Sequence, residues 1–408
     1  MIKYVAKWTA VVFCTLVTSA VLLPQQHKPM SMSGWTSEWD YDGKKILGHI
    51  ESDVYLWDAR TARMLHKFVG HRERIRSVQF SPDGKYALTD SAPNYANEGC
   101  RMPEFRSKDT SVRLWSLESG EEVWKIEGHL AGVFSPDGQR LLTLPLQDPL
   151  NGCGGGGIAG IAMWDVATRR QLFSVTPGSQ MLAFGPGGRT FLAFKAFKDA
   201  VSVYDARDGS EIGRLEHVES GSFSGPNGDV ATTPFLNSQL EVWDSRSKSR
   251  RRQVLTDRSA WVAWTPDGSR MIQLSGSCGS IRVWAADSGQ MLSQPACDPN
   301  VELHSNYILA SPDNRRLLLW VNGYIGEGSR AVLPTVELYD LNTGSKLAKI
   351  PKSGTPIGFS PDGQTFLVAG ANEEKPLTHL LQLDSFRVYR ADSGEPIVTL
   401  DLEHGLVR

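Results

Sequence analysis

Five cysteines are the first residues with chemistry of their own: Cys14 lies in an apolar run near the start, and Cys100, Cys153, Cys278 and Cys297 are spread through the body. None stands in a Cys-x-x-Cys pair, so no redox couple or zinc knuckle is encoded locally. A zinc-protease His-Glu-x-x-His, a phosphate loop ending in Gly-Lys-Ser/Thr and a Gly-x-Ser-x-Gly nucleophile elbow are all absent from the sequence. The run Gly152-Cys153-Gly154-Gly155-Gly156-Gly157 is glycine-rich, but an apolar strand pattern ending at Trp164 follows it. A phosphate site needs a helix N-terminus there, so the run reads as a flexible loop. Arg72, Arg74 and Arg258, with Trp261 and Tyr324, are the residue types of a recognition surface, although ordinary surface packing explains any one of them. The sequence therefore predicts no catalytic residues, no metal and no cofactor.

Bulk properties narrow the partners. The 408 residues carry 43 Lys plus Arg against 45 Asp plus Glu, for a formal charge of -2. No overall field draws the chain to nucleic acid or anionic lipid. The basic run Arg246, Lys248, Arg250, Arg251, Arg252 reads as a solvated turn and edge strand, where charge discourages sheet-to-sheet association. With 40% hydrophobic residues the body has material for a core, and 39 Gly, 22 Pro and 12 Trp suit many short strands joined by tight turns. At the start, Lys3 and Lys7 precede a charge-free run over 8–23, with small residues at Thr18-Ser19-Ala20 and Pro24 closing it. That run is shorter than a comfortable bilayer span of roughly 20 residues, so it reads as an export signal, with an uncleaved anchor as the close alternative. The expected organisation is a signal or anchor over 1–23, a linker over 24–31, and one folded body over 32–408.

A turn signature recurs through that body. Ser81-Pro82-Asp83-Gly84 returns as Ser135-Pro136-Asp137-Gly138, Gly185-Pro186-Gly187-Gly188, Gly225-Pro226-Asn227-Gly228, Thr265-Pro266-Asp267-Gly268, Ser311-Pro312-Asp313-Asn314 and Ser360-Pro361-Asp362-Gly363, with a degenerate copy at Asp40-Tyr41-Asp42-Gly43. Second positions at 41, 82, 136, 186, 226, 266, 312 and 361 give a period of 40 to 54 residues. Pro presets φ, Asp or Asn bonds the local backbone, and Gly accepts positive φ, so each copy makes a hairpin. A second signal follows each turn: an alternating strand ending in an aromatic, as in Val54-Tyr55-Leu56-Trp57-Asp58, Val112-Arg113-Leu114-Trp115-Ser116 or Phe386-Arg387-Val388-Tyr389-Arg390. Eight turns match eight such strands, and a further turn and strand complete a four-stranded antiparallel meander in each unit. One such sheet leaves both faces wet, so the units must pack face to face and close into a ring. The prediction is an all-β fold, a single β-propeller of about eight four-stranded antiparallel blades, with seven as the fallback.

The Trp-Asp pairs at 57, 164 and 243, with Gly70-His71 and Gly128-His129 after fourth strands, resemble the WD-repeat family. The resemblance covers roughly residues 32–402. It implies a structural hydrogen-bond network joining a Gly-His histidine, an aspartate before the third strand and that strand's tryptophan. His71, Asp109 and Trp115 match all three; Asp53, Asp199, Asp384, His129 and His217 match single positions. The last unit supplies its own fourth strand, Ile397-Val398-Thr399-Leu400, so closure by an N-terminal strand is not required.

In such a meander the Pro-Asp-Gly and Ser/Thr-Gly turns share one end of the ring, and the long insertions 90–109, 145–160, 321–334 and 370–384 share the other, the top face. The four body cysteines fall on that face as well, in neighbouring insertions (Cys100, Cys153) or within one unit (Cys278, Cys297). In an oxidising compartment these pair naturally, Cys100 with Cys153 and Cys278 with Cys297, four unlinked thiols being the alternative. Long loops on a rigid scaffold carry function. The expected role is a non-catalytic platform for a protein or peptide, extracytoplasmic, touching membrane only through its N-terminal segment and binding no nucleic acid. The competing expectation is a propeller enzyme or small-ligand binder working in the central channel, which requires a cluster of channel-facing acids and histidines.

Overall fold

The computed structural model describes residues 37–50, 52–91, 109–146, 159–176, 181–195, 200–216, 218–224, 229–234, 239–243, 250–255, 260–275, 281–295, 301–303, 308–321, 323–325, 330–331, 335–351, 353–371 and 383–401. These form eight four-stranded antiparallel sheets, blades 1 to 8 in chain order: 37–68, 75–127, 129–175, 181–216, 218–255, 260–293, 308–351 and 353–401. Each is a meander whose four strands pair in chain order. Blade 8 ends on its own fourth strand, Pro396–Asp401, so no strand from the N-terminus completes it.

The turn chemistry read from the sequence is present in every blade where the turn is described. The N–H of the fourth turn residue donates to the carbonyl of the first: Gly84 to Ser81, Gly138 to Ser135, Gly268 to Thr265, Gly363 to Ser360 and Asn314 to Ser311, at 2.8–2.9 Å. These positions need the left-handed region, and Gly84 at φ +68° and Asn314 at φ +58° occupy it, the residues that tolerate it best. The hydroxyl of Ser81 or Ser135 donates to the following Asp at 2.6 Å and locks the corner.

A second regularity escapes the residue pattern. In all eight described sheets the pairing of third and fourth strands shifts register immediately before the third-strand aromatic, at Trp57, Trp115, Trp164, Tyr204, Trp243, Trp284, Tyr339 and Tyr389. This bulge increases local twist and fits a turn that closes on a positive-φ residue. That residue is glycine in several blades, but Ala62 and Arg169 hold the same position at φ +56° and +59°.

The apolar cores lie between blades, as closure demands. Leu47, Leu56 and Phe68 of blade 1 pack with Ile75, Val78 and Trp115 of blade 2. Leu142 and Met163 of blade 3 pack with Phe184 and Phe191 of blade 4. Ile46 and Trp57 of blade 1 pack with Leu367 and Phe386 of blade 8, the Trp57 and Phe386 rings 5.8 Å apart edge to face. At the turn end Gly43 meets Pro361 of blade 8, a Cβ at Gly43 standing 3.4 Å from the proline ring. Among the described residues no strand pairing joins blade 1 to blade 8, and packing closes the ring.

The first strand of each blade is innermost, and side chains of the preceding blade satisfy some of its backbone. Glu38 of blade 1 accepts from the Phe80 N–H at 2.7 Å, and Gln79 of blade 2 accepts from the Phe134 N–H at 3.3 Å. A ninth, three-stranded sheet stands at the top end near blade 7: Val301–Leu303 pairs with Gly323–Ile325, which pairs with Arg330–Ala331. Residues 1–36, with the signal or anchor and the linker expected there, lie outside the described residues. Among the described residues no helix is long and apolar enough to cross a membrane.

Candidate functional site

The best-defined polar constellation is in blade 2, whose strands are Ile75–Phe80, Tyr86–Ser91, Ser111–Ser116 and Glu122–Glu127. Asp109 sits just before the third strand, where its carboxylate faces the chain entering from blade 1. His71 Nδ1 lies 2.9 Å from Asp109 Oδ2, and His71 Nε2 lies 2.7 Å from Thr89 Oγ1. The Trp115 indole N–H donates to the same Thr89 hydroxyl at 2.9 Å. The three predicted residues are therefore brought together, through Thr89, a partner that the sequence motif does not include. Asp109 also accepts from Ser111 Oγ at 2.6 Å, from Arg113 Nη2 at 2.8 Å and from the Arg72 backbone N–H at 3.0 Å. Arg113 reaches onward to Glu122 at 2.7 Å.

The electrostatics follow from burial and count. Burial alone would raise the Asp109 carboxyl, but the hydrogen bonds from His71, Ser111 and the Arg72 backbone outweigh it and hold the group well below the carboxylate range. Burial also lowers His71, with nearby Arg113 adding to it against the pull of Asp109, so His71 is neutral at physiological pH. With Nδ1 turned to the carboxylate, its proton belongs there and Nε2 accepts from Thr89. Every member of the set is occupied by another. The arrangement holds the entering chain and the third strand in place; it presents no open nucleophile or base.

Blade 3 carries a reduced version. His129 Nδ1 lies 2.8 Å from Thr143 Oγ1, and the Trp164 indole donates to that hydroxyl at 2.8 Å, with no carboxylate in the set. Burial pushes the His129 imidazole down to about 4. In blade 6 the Trp284 indole donates to Gln273 at 3.1 Å. The polar residues at 89, 143 and 273 each stand fourth in the second strand of their blade.

The proposed recognition residues fall apart into separate regions. Arg72 and Arg74 share the connection from blade 1 to blade 2, Arg72 exposed and Arg74 half-buried. Trp261 lies in the innermost strand of blade 6, Ala260–Trp264, across the ring. Tyr324 lies in the middle strand of the small top sheet, opposite Glu302 and Ala331. Arg258 and Cys100, Cys153, Cys278 and Cys297 lie outside the described residues. Among the described residues no group of three or more His, Cys, Asp or Glu is arranged to hold a metal ion.

Comparison with known proteins agrees with this geometry. Residues 62–116, which span the end of blade 1 and most of blade 2 with its full network, match the family model "WD domain, G-beta repeat". Among curated relatives, Protein tipD of Dictyostelium discoideum is 23% identical over 254 residues, 58% of this chain and 37% of its own length. This chain spans less than half the length of the first curated relatives it matches. Among solved structures, the C-terminal WD40 domain of Sif2 superposes with a TM-score of 0.61 at 14% identity, covering 87% of this chain and 94% of that one. Dihydro-heme d1 dehydrogenase NirN, in complex with DHE, gives 0.62 at 16% identity, covering 90% and 74%. At such identities the likeness is one of fold. Residues 62–116 match the WD40 repeat, and the ring of blades that contains them shares the β-propeller fold of the WD40 domain it superposes on.

Proposed function

We propose that this chain is a non-catalytic propeller that binds a protein or peptide partner at its top end. The observation that carries the proposal is the contrast between the two ends of the ring. One end repeats a single turn from blade to blade, whereas the other carries connections that differ in length, including the hairpin that builds the three-stranded sheet. A rigid scaffold with variable connections on one end is the arrangement by which loops present recognition residues. WD40 propellers are typically interaction scaffolds, which supports the same reading. The residues assembled in blade 2 are mutually satisfied, consistent with positioning rather than turnover.

The proposal extends to location. Lys3 and Lys7 ahead of the apolar run 8–23 support export, or tethering by that run, so the partner belongs to the extracytoplasmic side. Proteins captured by the purified chain, and by variants with 92–108 or 322–334 replaced by short Gly-Ser linkers, test the binding role. Loss of specific partners with either replacement supports it; an unchanged set with both rules it out. Protease treatment of intact cells tests the location, since a cytoplasmic chain survives uncut.

A further inference from the structure

We infer that the blade 1 to blade 2 connection, residues 69–76, is a docking surface for an acidic segment of a protein partner. The inference rests on the binding role proposed above and adds the chemistry of what is bound.

This stretch concentrates positive charge. Residues 69–76 contain Arg72, Arg74 and Arg76 against one acid, Glu73, in a chain whose formal charge is -2. Arg72 and Arg76 are exposed, and neither forms an ion pair among the described residues. Arg207, by comparison, is held by Asp205 of its own turn at 2.7 Å. Arg76 stands one residue into the innermost strand, Ile75–Phe80, so the pair runs from the outer connection toward the mouth of the channel. Beside them Val69, at 67%, is the most exposed of the large apolar side chains described.

The backbone beneath these side chains is fixed. The Arg72 N–H donates to buried Asp109, and Gly70 lies so close to blade 2 that a Cβ there would stand 2.7 Å from Arg113 Nη1 and 3.0 Å from the Trp115 ring. A surface already ordered loses little entropy when it is bound. Guanidinium groups pair bidentately with carboxylates, and an apolar side chain between charges suits a peptide with a hydrophobic residue among its acids. Two exposed arginines neutralise few phosphates, so a nucleic acid backbone gains little here.

The test is fluorescence anisotropy of the full chain with a labelled Asp/Glu-rich peptide carrying one Leu, against a Lys-rich peptide and single-stranded oligothymidine. The acidic peptide is expected to bind best. Arg72→Glu/Arg76→Glu should weaken it by at least about tenfold, and Arg72→Ala/Arg76→Ala in the same direction, each with unchanged circular dichroism. Arg60→Glu/Arg63→Glu alters net charge equally at the opposite end and should weaken it less than about twofold. Equal losses from the two charge reversals, no preference for the acidic peptide, or tighter binding of oligothymidine overturns the inference. Partners that depend on the loops but survive reversal of the arginine pair would remove this inference and leave the binding role standing. Peptide binding at the arginines with no partner dependent on either loop would instead remove the loop-based role.

Discussion

At the turn end of the ring, blades as different in sequence as 2 and 7 close on the same hydrogen bond, Gly84 to Ser81 and Asn314 to Ser311. At the top end, the link between second and third strands runs from two residues, 51–52 in blade 1, to the long stretch 92–110 in blade 2. The turns at that end are specified by local backbone chemistry, and side chains such as Arg140 and Arg270 reach from them to the next blade. The top end is held, where it is held, by side chains reaching from one segment to another. The largest such set described, around Asp109, secures the entry to blade 2, most of which matches the repeat family. Regularity at one end leaves the other free to vary without unfolding the ring.

The sharpest way to break the comparison is at Asp109. Asp109→Ala removes the acceptor shared by His71, Ser111, Arg113 and the Arg72 N–H, Arg113 keeping only Glu122 as a carboxylate partner, which should cost roughly 2–4 kcal/mol in urea unfolding, at about 1–3 kcal/mol for each buried donor left unpaired. A loss near that of an exposed aspartate would mean that the network does not hold the top end. At the turn end the corresponding probe is Gly394, at φ +72°, where an added Cβ would stand only 2.4 Å from Ala348 Cβ. Gly394→Ala should destabilise by about 1–3 kcal/mol through backbone strain and overpacking against the neighbouring blade.

A subtler difference lies in pH. A histidine whose folded value is depressed binds its proton more readily when unfolded, so its neutral form stabilises the fold above the ordinary value and that stability is lost as pH falls. For His129 the window runs from 6.5 down to about 4, and His71 shifts in the same direction. The melting temperature should fall across that range, and His129→Gln should flatten the fall; an identical profile would show that desolvation does not lower His129. Asp109, depressed rather than raised, loses its contribution only at lower pH. The smallest effect is expected at Arg72→Ala/Arg76→Ala, within about 0.5 kcal/mol of the parent in stability, since both side chains are exposed.

Much of the fold is legible in the sequence because the turns encode it locally. Ser-Pro-Asp-Gly carries its own φ preferences and hydrogen bonds, so its recurrence locates every blade and the end at which the turns gather. The bulge before each third-strand aromatic is not legible, because register is a property of two strands and no single residue type marks it; Ala62 and Arg169 even stand where glycine is expected. Of the site, His71, Asp109 and Trp115 are legible through the family resemblance, but Thr89 is not. A signal for it exists within the chain. The fourth residue of the second strand is polar where the third-strand aromatic is Trp115, Trp164 or Trp284, and apolar, as Ala193, Leu319 and Val368, where it is Tyr204, Tyr339 or Tyr389; blade 1 departs from this, with Gly48 at that position and Trp57 in the third strand. An indole N–H inside the blade needs an acceptor there. A tyrosine hydroxyl extends further and finds another, as Tyr339 does in Glu337. Arg72, Arg74, Trp261 and Tyr324 are legible as residue types but not as a group, because blade order sets them on different sides of the ring.

The central claim, that one end of the ring binds and the other end builds, is tested most directly by hydrogen exchange of the chain with and without its isolated partner. Slowed exchange in the top connections, including 69–74 and 92–110, with the Ser-Pro-Asp-Gly turns unchanged, is the predicted result. Protection confined to the turns at 81–84, 135–138, 265–268 and 360–363 would contradict it.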